Sequence, residues 1–321
     1  MRRGLITAPS RFILILMLAS AATVSGCTQQ PVPGSAGHAR VASAGYDASV
    51  AQTAARSVLT TSAASLRQGW YLFRIQQRLV AGCMKDLGLR YITASAGPEP
   101  PAQATTAVVA GSSRPATYGV SLAGAQRDGE PAEDRYVAGL PPARRTSYTE
   151  ALSGSPRAVG TLTLPGRLIA GYETGGCVGA ARRAVFGTVR MQALDALFPQ
   201  AVNRGFVAFL ASSQAYLSAL RSWQRCMAAA GWHLASPQAA IQGIEALAAK
   251  TGTSPTELST RQAQAAGADA VCDARSGLRM RLTGALAEFV RTLPRPELLQ
   301  LQRIYVSHQK AVRIASHDLS L

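Results

Sequence analysis

Apolar residues recur three and four positions apart in two stretches of the chain. The first stretch comprises Leu66, Trp70, Leu72, Phe73, Ile75 and Leu79, and the second comprises Phe206, Leu210, Leu217, Leu220, Trp223 and Met227. Residues at this spacing lie on one face of an α-helix, so each stretch predicts a helix with one buried face. Each stretch leads into a copy of one motif, Cys-Met-x-x-x-Gly followed by a large apolar residue, at residues 83–89 and 226–232.

The glycine of each motif predicts where its helix ends. Gly88 and Gly231 follow the motif cysteine by five positions. A left-handed glycine just past the last turn is a common helix C-terminus, and the next apolar residue then folds back onto that turn as in a Schellman cap. Each motif therefore predicts a helix end that its cysteine anchors.

The first 27 residues have the pattern of an export signal. Three arginines precede an apolar stretch at residues 12–21, which is shorter than the roughly 20 residues that a membrane span needs. Residues 24–27, Val-Ser-Gly-Cys, resemble the lipobox of bacterial lipoproteins. This resemblance implies that a lipid is added to the sulfur of Cys27 and that residues 1–26, the lipoprotein signal peptide, are removed.

A lipid on Cys27 predicts where the mature protein is held. Several acyl chains on one residue bind a bilayer firmly, because each buried methylene adds about 0.8 kcal/mol. We therefore expect a protein that is anchored by lipid to the extracytoplasmic face of the cell membrane. Residues 27–48 are rich in Gly, Pro, Ser and Ala without an apolar period, which is typical of a flexible tether. Residues 49–321 are then the folded domain.

Four cysteines remain after Cys27, an even number that predicts two disulfides in an exported protein. They are Cys83, Cys177, Cys226 and Cys272. Four cysteines allow three pairings. Each motif cysteine is followed by a second cysteine that we expect to open an Ala/Arg-rich helix, and this parallel favours Cys83 with Cys177 and Cys226 with Cys272.

The combined pattern predicts a mainly α fold. We expect two disulfide-clamped helical hairpins that form one bundle, interrupted by a long irregular insert at residues 93–145. This segment holds the densest Pro-rich sequence of the chain and is too long for an ordinary connection. Either it closes over a groove between the helices, where a ligand would bind, or it covers the frame as an irregular excursion.

These features resemble a family of uncharacterised predicted lipoproteins of high-GC Gram-positive bacteria. The resemblance rests on the lipobox, on both Cys-Met-x-x-x-Gly motifs and on residues 117–120, 148–154, 176–177 and 268–272. It implies the architecture and the membrane address described above. It implies no activity and no catalytic residue.

The charge balance adds a candidate binding property. The 321 residues include 33 Lys and Arg against 17 Asp and Glu, and thirty of the cations are arginines. Because arginine suits phosphates and carboxylates, we predict an anion-binding surface on the helices near Cys177 and Cys272. Its candidate residues are Arg182, Arg183, Arg275, Arg279 and Arg281. The partner would be an anionic wall polymer, lipid head groups or an envelope protein, and not nucleic acid; alternatively, the arginines reflect GC-rich codon usage and form a diffuse basic surface.

Catalytic patterns are weak in this sequence. The cysteines are all assigned and no G-x-S-x-G is present, so a nucleophile elbow is not indicated. K-T-G at residues 250–252 and S-x-x-K at residues 307–310 stand in the reverse of the order found in penicillin-binding proteins. H-E-x-x-H is also missing, and His308 and His317 are expected to be solvated residues of a fraying C-terminus, so we predict neither a metal nor a cofactor.

The sequence therefore predicts a non-enzymatic binding or interaction module of the cell envelope. The alternative is a hydrolase that acts on the cell wall with a pair of carboxylates. Its acids would come from the insert, at Glu130, Glu133 and Asp134, or from elsewhere in the chain, at Glu173, Asp195 and Glu245.

Overall fold

The chain is mainly α-helical over residues 47–60, 62–94, 132–250 and 252–319, the ranges that the computed structural model describes. The helices are α1 (Ala48–Leu59), α2 (Ala63–Asp86), α3 (Ala132–Ala138), α4 (Pro142–Ser153), α5 (Gly176–Phe186), α6 (Val189–Ser212), α7 (Gln214–Ala229), α8 (Pro237–Ala249), α9 (Pro255–Ser276), α10 (Leu278–Thr292) and α11 (Arg295–Leu319). The predicted fold class is therefore confirmed.

The predictions for the N-terminus lie outside the described residues. They concern the signal peptide at residues 1–26, the lipidated Cys27 and nearly all of the tether. Helix α1 begins at Ala48, one residue before the predicted start of the domain, and the described residues from Ala48 onward form one compact unit. None of the helices in the described ranges is long and apolar enough to cross a membrane.

Serine and threonine side chains set the start of five helices. Each hydroxyl oxygen accepts a hydrogen bond from the backbone N–H three residues later, a donor that the first helical turn leaves unpaired. The capping residues are Ser62 for α2, Thr188 for α6, Ser213 for α7, Ser236 for α8 and Ser254 for α9. The cap at Ser213 divides the helical stretch predicted at residues 206–227 between the end of α6 and most of α7.

The two motif glycines end their helices as the sequence predicts. Gly88 and Gly231 have φ angles of 70° and 84°. The backbone N–H of the next residue donates to the carbonyl of the motif methionine, over 2.9 Å from Leu89 and over 2.8 Å from Trp232. These bonds are those of a Schellman motif. Leu89 and Trp232 also pack against the last turn of their helices.

Two disulfides join the cysteines that the repeat pairs. Cys83 in the last turn of α2 is bonded to Cys177 in the first turn of α5, and Cys226 near the end of α7 is bonded to Cys272. The expectation that the second cysteine opens a helix is correct for Cys177 and wrong for Cys272. Cys272 lies about one turn before the end of α9, and the break comes only at Gly277, whose φ is 63°.

In the second half of the domain, the helix that runs back along the motif helix is α10 and not α9. Helix α5 has this position in the first half. After Gly277 it runs back along α7, so that Leu278 packs with Met227 at the end of α7. At its other end, the ring of Phe289 lies 5.7 Å from that of Phe209, just before α7 begins. Cys272 therefore lies on α9, the helix that comes before α10, and not on α10 itself.

The insert predicted at residues 93–145 ends in helices. Residues 132–138 form α3 and residues 142–145 begin α4, so irregular backbone is the wrong expectation for these two segments. Pro142 is the first residue of α4, a position where proline is favoured because its missing N–H would have no helical partner. Residues 95–131 lie outside the described residues.

A β-hairpin of β1 (Val159–Leu164) and β2 (Leu168–Glu173) connects α4 to α5. Leu162 and Leu164 are buried on the side that faces α6. Glycines allow the segments at the hairpin base to approach closely. A Cβ atom on Gly176, which has a φ of 59°, would lie 2.4 Å from the carbonyl oxygen of Leu152. The end of α4 is therefore held directly against the start of α5.

Candidate functional site

The structure divides the five predicted anion-binding arginines between two places. Two lie on α5 beside the base of the hairpin, and three flank the corner at Gly277 where α9 meets α10. The first group is Arg182 and Arg183, and the second is Arg275, Arg279 and Arg281. They do not form one surface, so each group is described by its own contacts.

Arg182 and Arg183 hold the end of the hairpin on α5. An Nη1 of Arg182 donates to the carbonyl oxygen of Glu173 over 3.2 Å, and an Nη1 of Arg183 donates to that of Thr174 over 3.0 Å. Burial lowers the pKa of Arg182 below its ordinary value, while the negative charge of Glu173 opposes that shift. Both guanidinium groups therefore have a structural role at this junction.

Arg279 belongs to a polar network in the core. Its Nη2 donates to Oδ2 of Asp269 over 2.7 Å, and its backbone N–H donates to Oδ1 of Asp273 over 2.8 Å. Asp269 is 1% exposed, and its Oδ1 accepts a hydrogen bond of 2.8 Å from Nε1 of the buried Trp223. Burial raises the pKa of Asp269, although the charge of Arg279 and the bond from Trp223 act to lower it. Arg279 is thus held within the fold by two carboxylates.

Four exposed arginines lie on the helical segments that meet at the second disulfide and at the corner after it. Arg225 directly precedes one of its cysteines and Arg275 follows the other by three residues, and the Cα atoms of those cysteines are 5.5 Å apart. Arg221 lies one helical turn before Arg225, and Arg281 lies in the first turn of α10. Within the described ranges, none of the four pairs with a carboxylate. We call Arg221, Arg225, Arg275 and Arg281 the basic corner.

The acid Glu133 of the predicted insert is held by two donors. Its Oε2 accepts a hydrogen bond of 2.8 Å from the backbone N–H of Ile92, and its Oε1 accepts one from the hydroxyl of Tyr148. Burial and the bond to Glu133 raise the pKa of Tyr148, and burial followed by the charge of Glu133 raises the pKa of Tyr91. Glu133 therefore ties α3 to α4 and to the segment after α2.

We expect Tyr148 to make the fold sensitive to alkali. The unfolded chain loses the phenolic proton at about pH 10, whereas the folded chain keeps it to higher pH. The stabilisation from this group is therefore complete below about pH 10 and is lost as the pH rises further. Tyr148→Phe should flatten this part of the stability profile and lower the free energy of unfolding at neutral pH by about 1 kcal/mol.

Urea unfolding at a series of neutral to alkaline pH values measures both effects of Tyr148→Phe. Tyr172→Phe is a suitable control, because the ring of Tyr172 lies on the hairpin against Gly160. This control should keep the alkaline slope of the wild type. Equal slopes in Tyr148→Phe and the wild type would contradict the role given to Tyr148.

A cleft of about 440 Å³ lies between α4 and the base of the hairpin. Hydroxyl groups of α4 and the following loop line it, together with the side chains of Glu150 and Glu173. Arg145, the last residue of the predicted insert, also lines the cleft, and its Nη2 donates to the carbonyl oxygen of Ala138 over 2.6 Å. This arrangement can admit a polar ligand.

His308 has an acidic partner that the sequence does not reveal. Its Nδ1 lies 3.0 Å from Oδ1 of Asp195 on α6, 113 residues away, and both side chains are partly buried. The expectation of a solvated histidine near a fraying C-terminus is therefore wrong for His308, while the side chain of His317 is 76% exposed. The sequence signal for the partial burial of His308 is its position, because it follows the buried Ile304 and precedes the buried Ala311 at helical spacing.

The described ranges contain no group of three or more His, Cys, Asp or Glu side chains that could hold a metal ion. No protein-family model, no curated protein and no solved structure matches this chain.

Proposed function

We propose that this protein is a membrane-anchored, extracytoplasmic lipoprotein that acts as a non-enzymatic binding module of the cell envelope. The lipid on Cys27 holds the folded domain at the membrane. The basic corner binds an anionic polymer of the cell wall or an acidic face of another envelope protein.

The two disulfides support the extracytoplasmic address. Disulfides persist in oxidising compartments and are rare in the cytosol. They join cysteines 94 and 46 residues apart in the chain, so both depend on the folded domain and not on a local turn. The lipobox of residues 24–27 agrees with this address, as does the resemblance to predicted lipoproteins of high-GC Gram-positive bacteria.

The basic corner is the observation that carries the binding proposal. The carboxylates nearest to Arg275 and Arg281 along the chain, those of Asp269 and Asp273, are turned toward Arg279. Neither forms an ion pair with the four exposed arginines, whose guanidinium groups stay open to an external anion. Arginine forks bind phosphates and carboxylates with two parallel hydrogen bonds, so an extended polyanion that crosses α7 and the α9–α10 corner meets several cations in succession.

The alternative of a wall hydrolase has less support. Both oxygens of Glu133 are occupied by Ile92 and Tyr148, Asp134 is exposed on α3, and Glu130 lies outside the described residues. A glycan hydrolase needs two carboxylates at a defined separation across the bond that it cleaves. Because Glu133 anchors α3 through both oxygens, it is poorly suited to act as one of these two catalytic carboxylates.

Cell fractionation and wall binding test the two parts of the proposal. In a host that processes lipoproteins, we expect the wild type in the membrane fraction and Cys27→Ala as a released or uncleaved protein. For wall binding, the mature chain with Cys27→Ser should cosediment with purified cell wall at low salt and less at high salt. Arg275→Glu/Arg281→Glu in this chain should lower cosedimentation by about tenfold.

The matched control is Arg144→Glu/Arg204→Glu, which makes the same change of net charge at exposed positions on α4 and α6. This control should bind the wall like the parent chain. An equal loss in both double variants would show that net charge alone drives binding, and would remove the basic corner from the proposal. Membrane retention of a cleaved Cys27→Ala protein would refute the lipid anchor.

A further inference from the structure

The turn of the β-hairpin keeps an arginine in a backbone conformation that favours glycine. The turn runs through Pro165–Arg167, with φ angles of 74° at Gly166 and 59° at Arg167. Arg167 is the one non-glycine residue of the described ranges that has a positive φ. Any residue with a Cβ atom loses free energy there, and an observed cost of this kind points to a use for the side chain.

Two aliphatic side chains follow Arg167 and stand in solvent. Ile169 is 77% exposed and Leu168 is 41% exposed. Leu168 pairs with the buried Leu164 at the end of the sheet, and Ile169 pairs with Thr163 on the face that points away from the domain. Because consecutive strand residues point to opposite faces, the end of the hairpin carries one exposed aliphatic side chain on each face beside a cation. We call Arg167, Leu168 and Ile169 the hairpin tip.

The hairpin tip carries a positive charge that no acid of the tip offsets. Between Val159 and Tyr172, Arg167 is the only charged residue. The one acid of the hairpin, Glu173, is the last residue of β2 and lies at the opposite end of the strands. A negatively charged surface is therefore attracted to the tip.

The size of the hairpin tip favours a bilayer over a protein as its partner. A stable protein–protein interface buries roughly 1,200–2,000 Å², much more than two aliphatic side chains supply. A bilayer needs no matching surface, because apolar side chains enter the boundary of the acyl chains while an arginine keeps its charge among the phosphates. Arg167, Leu168 and Ile169 place these two kinds of side chain next to each other.

We propose that the hairpin tip is a second membrane contact of this protein. Leu168 and Ile169 enter the interface of the bilayer, and the guanidinium of Arg167 binds the phosphate of an anionic phospholipid. The inference rests on the proposed function, since the lipid on Cys27 keeps the tip close to the membrane. Two membrane signals on one chain hold a protein at the surface more firmly than either signal alone.

Vesicle cosedimentation of the mature chain with Cys27→Ser, which has no lipid of its own, tests this contact. Vesicles of phosphatidylcholine and phosphatidylglycerol in equal parts should bind the chain, and vesicles of phosphatidylcholine alone should bind it much less. Leu168→Ser/Ile169→Ser should lower binding to the mixed vesicles by about tenfold. The control Val207→Ser/Met280→Ser, at side chains that are 60% and 67% exposed on α6 and α10, should bind like the parent.

The variant Arg167→Gly separates a membrane role from a structural one. Glycine removes the strain of the positive φ, so the midpoint of thermal unfolding should rise. Loss of the cation should at the same time lower binding to the mixed vesicles by about fivefold. A lower unfolding midpoint with unchanged vesicle binding would show that Arg167 serves only the turn, and would overturn its role with lipid.

Equal binding of the parent and of Leu168→Ser/Ile169→Ser to the mixed vesicles would overturn the proposal. If the parent is a dimer, and Leu168→Ser/Ile169→Ser is a monomer that binds vesicles equally well, the hairpin tip instead joins two copies of the chain. Failure of the proposed function is detected separately, by the fractionation of Cys27→Ala, because the vesicle test uses a chain without lipid.

Discussion

Replacement of Asp269 by alanine is expected to lower the free energy of unfolding by about 3–5 kcal/mol. The carboxylate is 1% exposed and accepts hydrogen bonds from Nε1 of Trp223 and Nη2 of Arg279. Without it, the buried indole N–H and the guanidinium keep the cost of leaving water but have no partner. Urea unfolding of the oxidised protein, followed by tryptophan fluorescence, measures the loss.

Asp273→Ala is the control for this experiment. Asp273 also contacts Arg279, but its side chain is 19% exposed, so water can replace part of what is removed. We expect a loss of about 1 kcal/mol for this variant. If Asp269→Ala costs no more than Asp273→Ala, the network around Trp223 is not a main source of stability.

Removal of the first disulfide is expected to have a similar effect. In Cys83→Ala/Cys177→Ala the unfolded chain is no longer closed over 94 residues, a constraint that corresponds to about 4.7 kcal/mol in the chain-entropy model. For Cys226→Ala/Cys272→Ala the separation is 46 residues, which corresponds to about 4.0 kcal/mol. The two losses should be nearly equal, because the entropy of closure grows only with the logarithm of loop length.

Urea unfolding of the two double variants beside the oxidised wild type measures these losses. The wild type reduced with dithiothreitol serves as a control without any substitution, and it should be less stable than either variant. A loss that scales with the number of residues between the cysteines would contradict the entropic explanation. So would a fully reduced protein that is as stable as the oxidised one.

The helix ends and the cysteine pairing can be predicted from sequence because a few neighbouring residues encode them. Gly88 and Gly231 end their helices wherever the rest of the chain lies, since only glycine adopts a positive φ at little cost. The hairpin is also encoded locally. Leu162 and Leu164 alternate with threonines and precede Pro165-Gly166, which is the pattern of a strand followed by a turn. The predicted fold nevertheless contains no strand, because it is built on the helical periodicity of other segments.

The candidate site is harder to predict because its residues depend on distant partners. In the sequence Arg275, Arg279 and Arg281 are equivalent cations on one segment. Only the corner at Gly277 turns Arg279 back to the buried Asp269 and leaves the other two exposed. The prediction that Cys272 begins a helix is wrong for a related reason, since the residues on both sides of Cys272 are equally compatible with a helix.

The first disulfide closes residues 83–177 into a covalent ring, and the Pro-rich segment at residues 95–131 belongs to that ring. A protease that cuts once within this segment produces two fragments that the bond between Cys83 and Cys177 keeps together. The nicked protein then migrates as one species until a reductant separates the pieces. The domain therefore keeps both halves after a single cut in its Pro-rich segment.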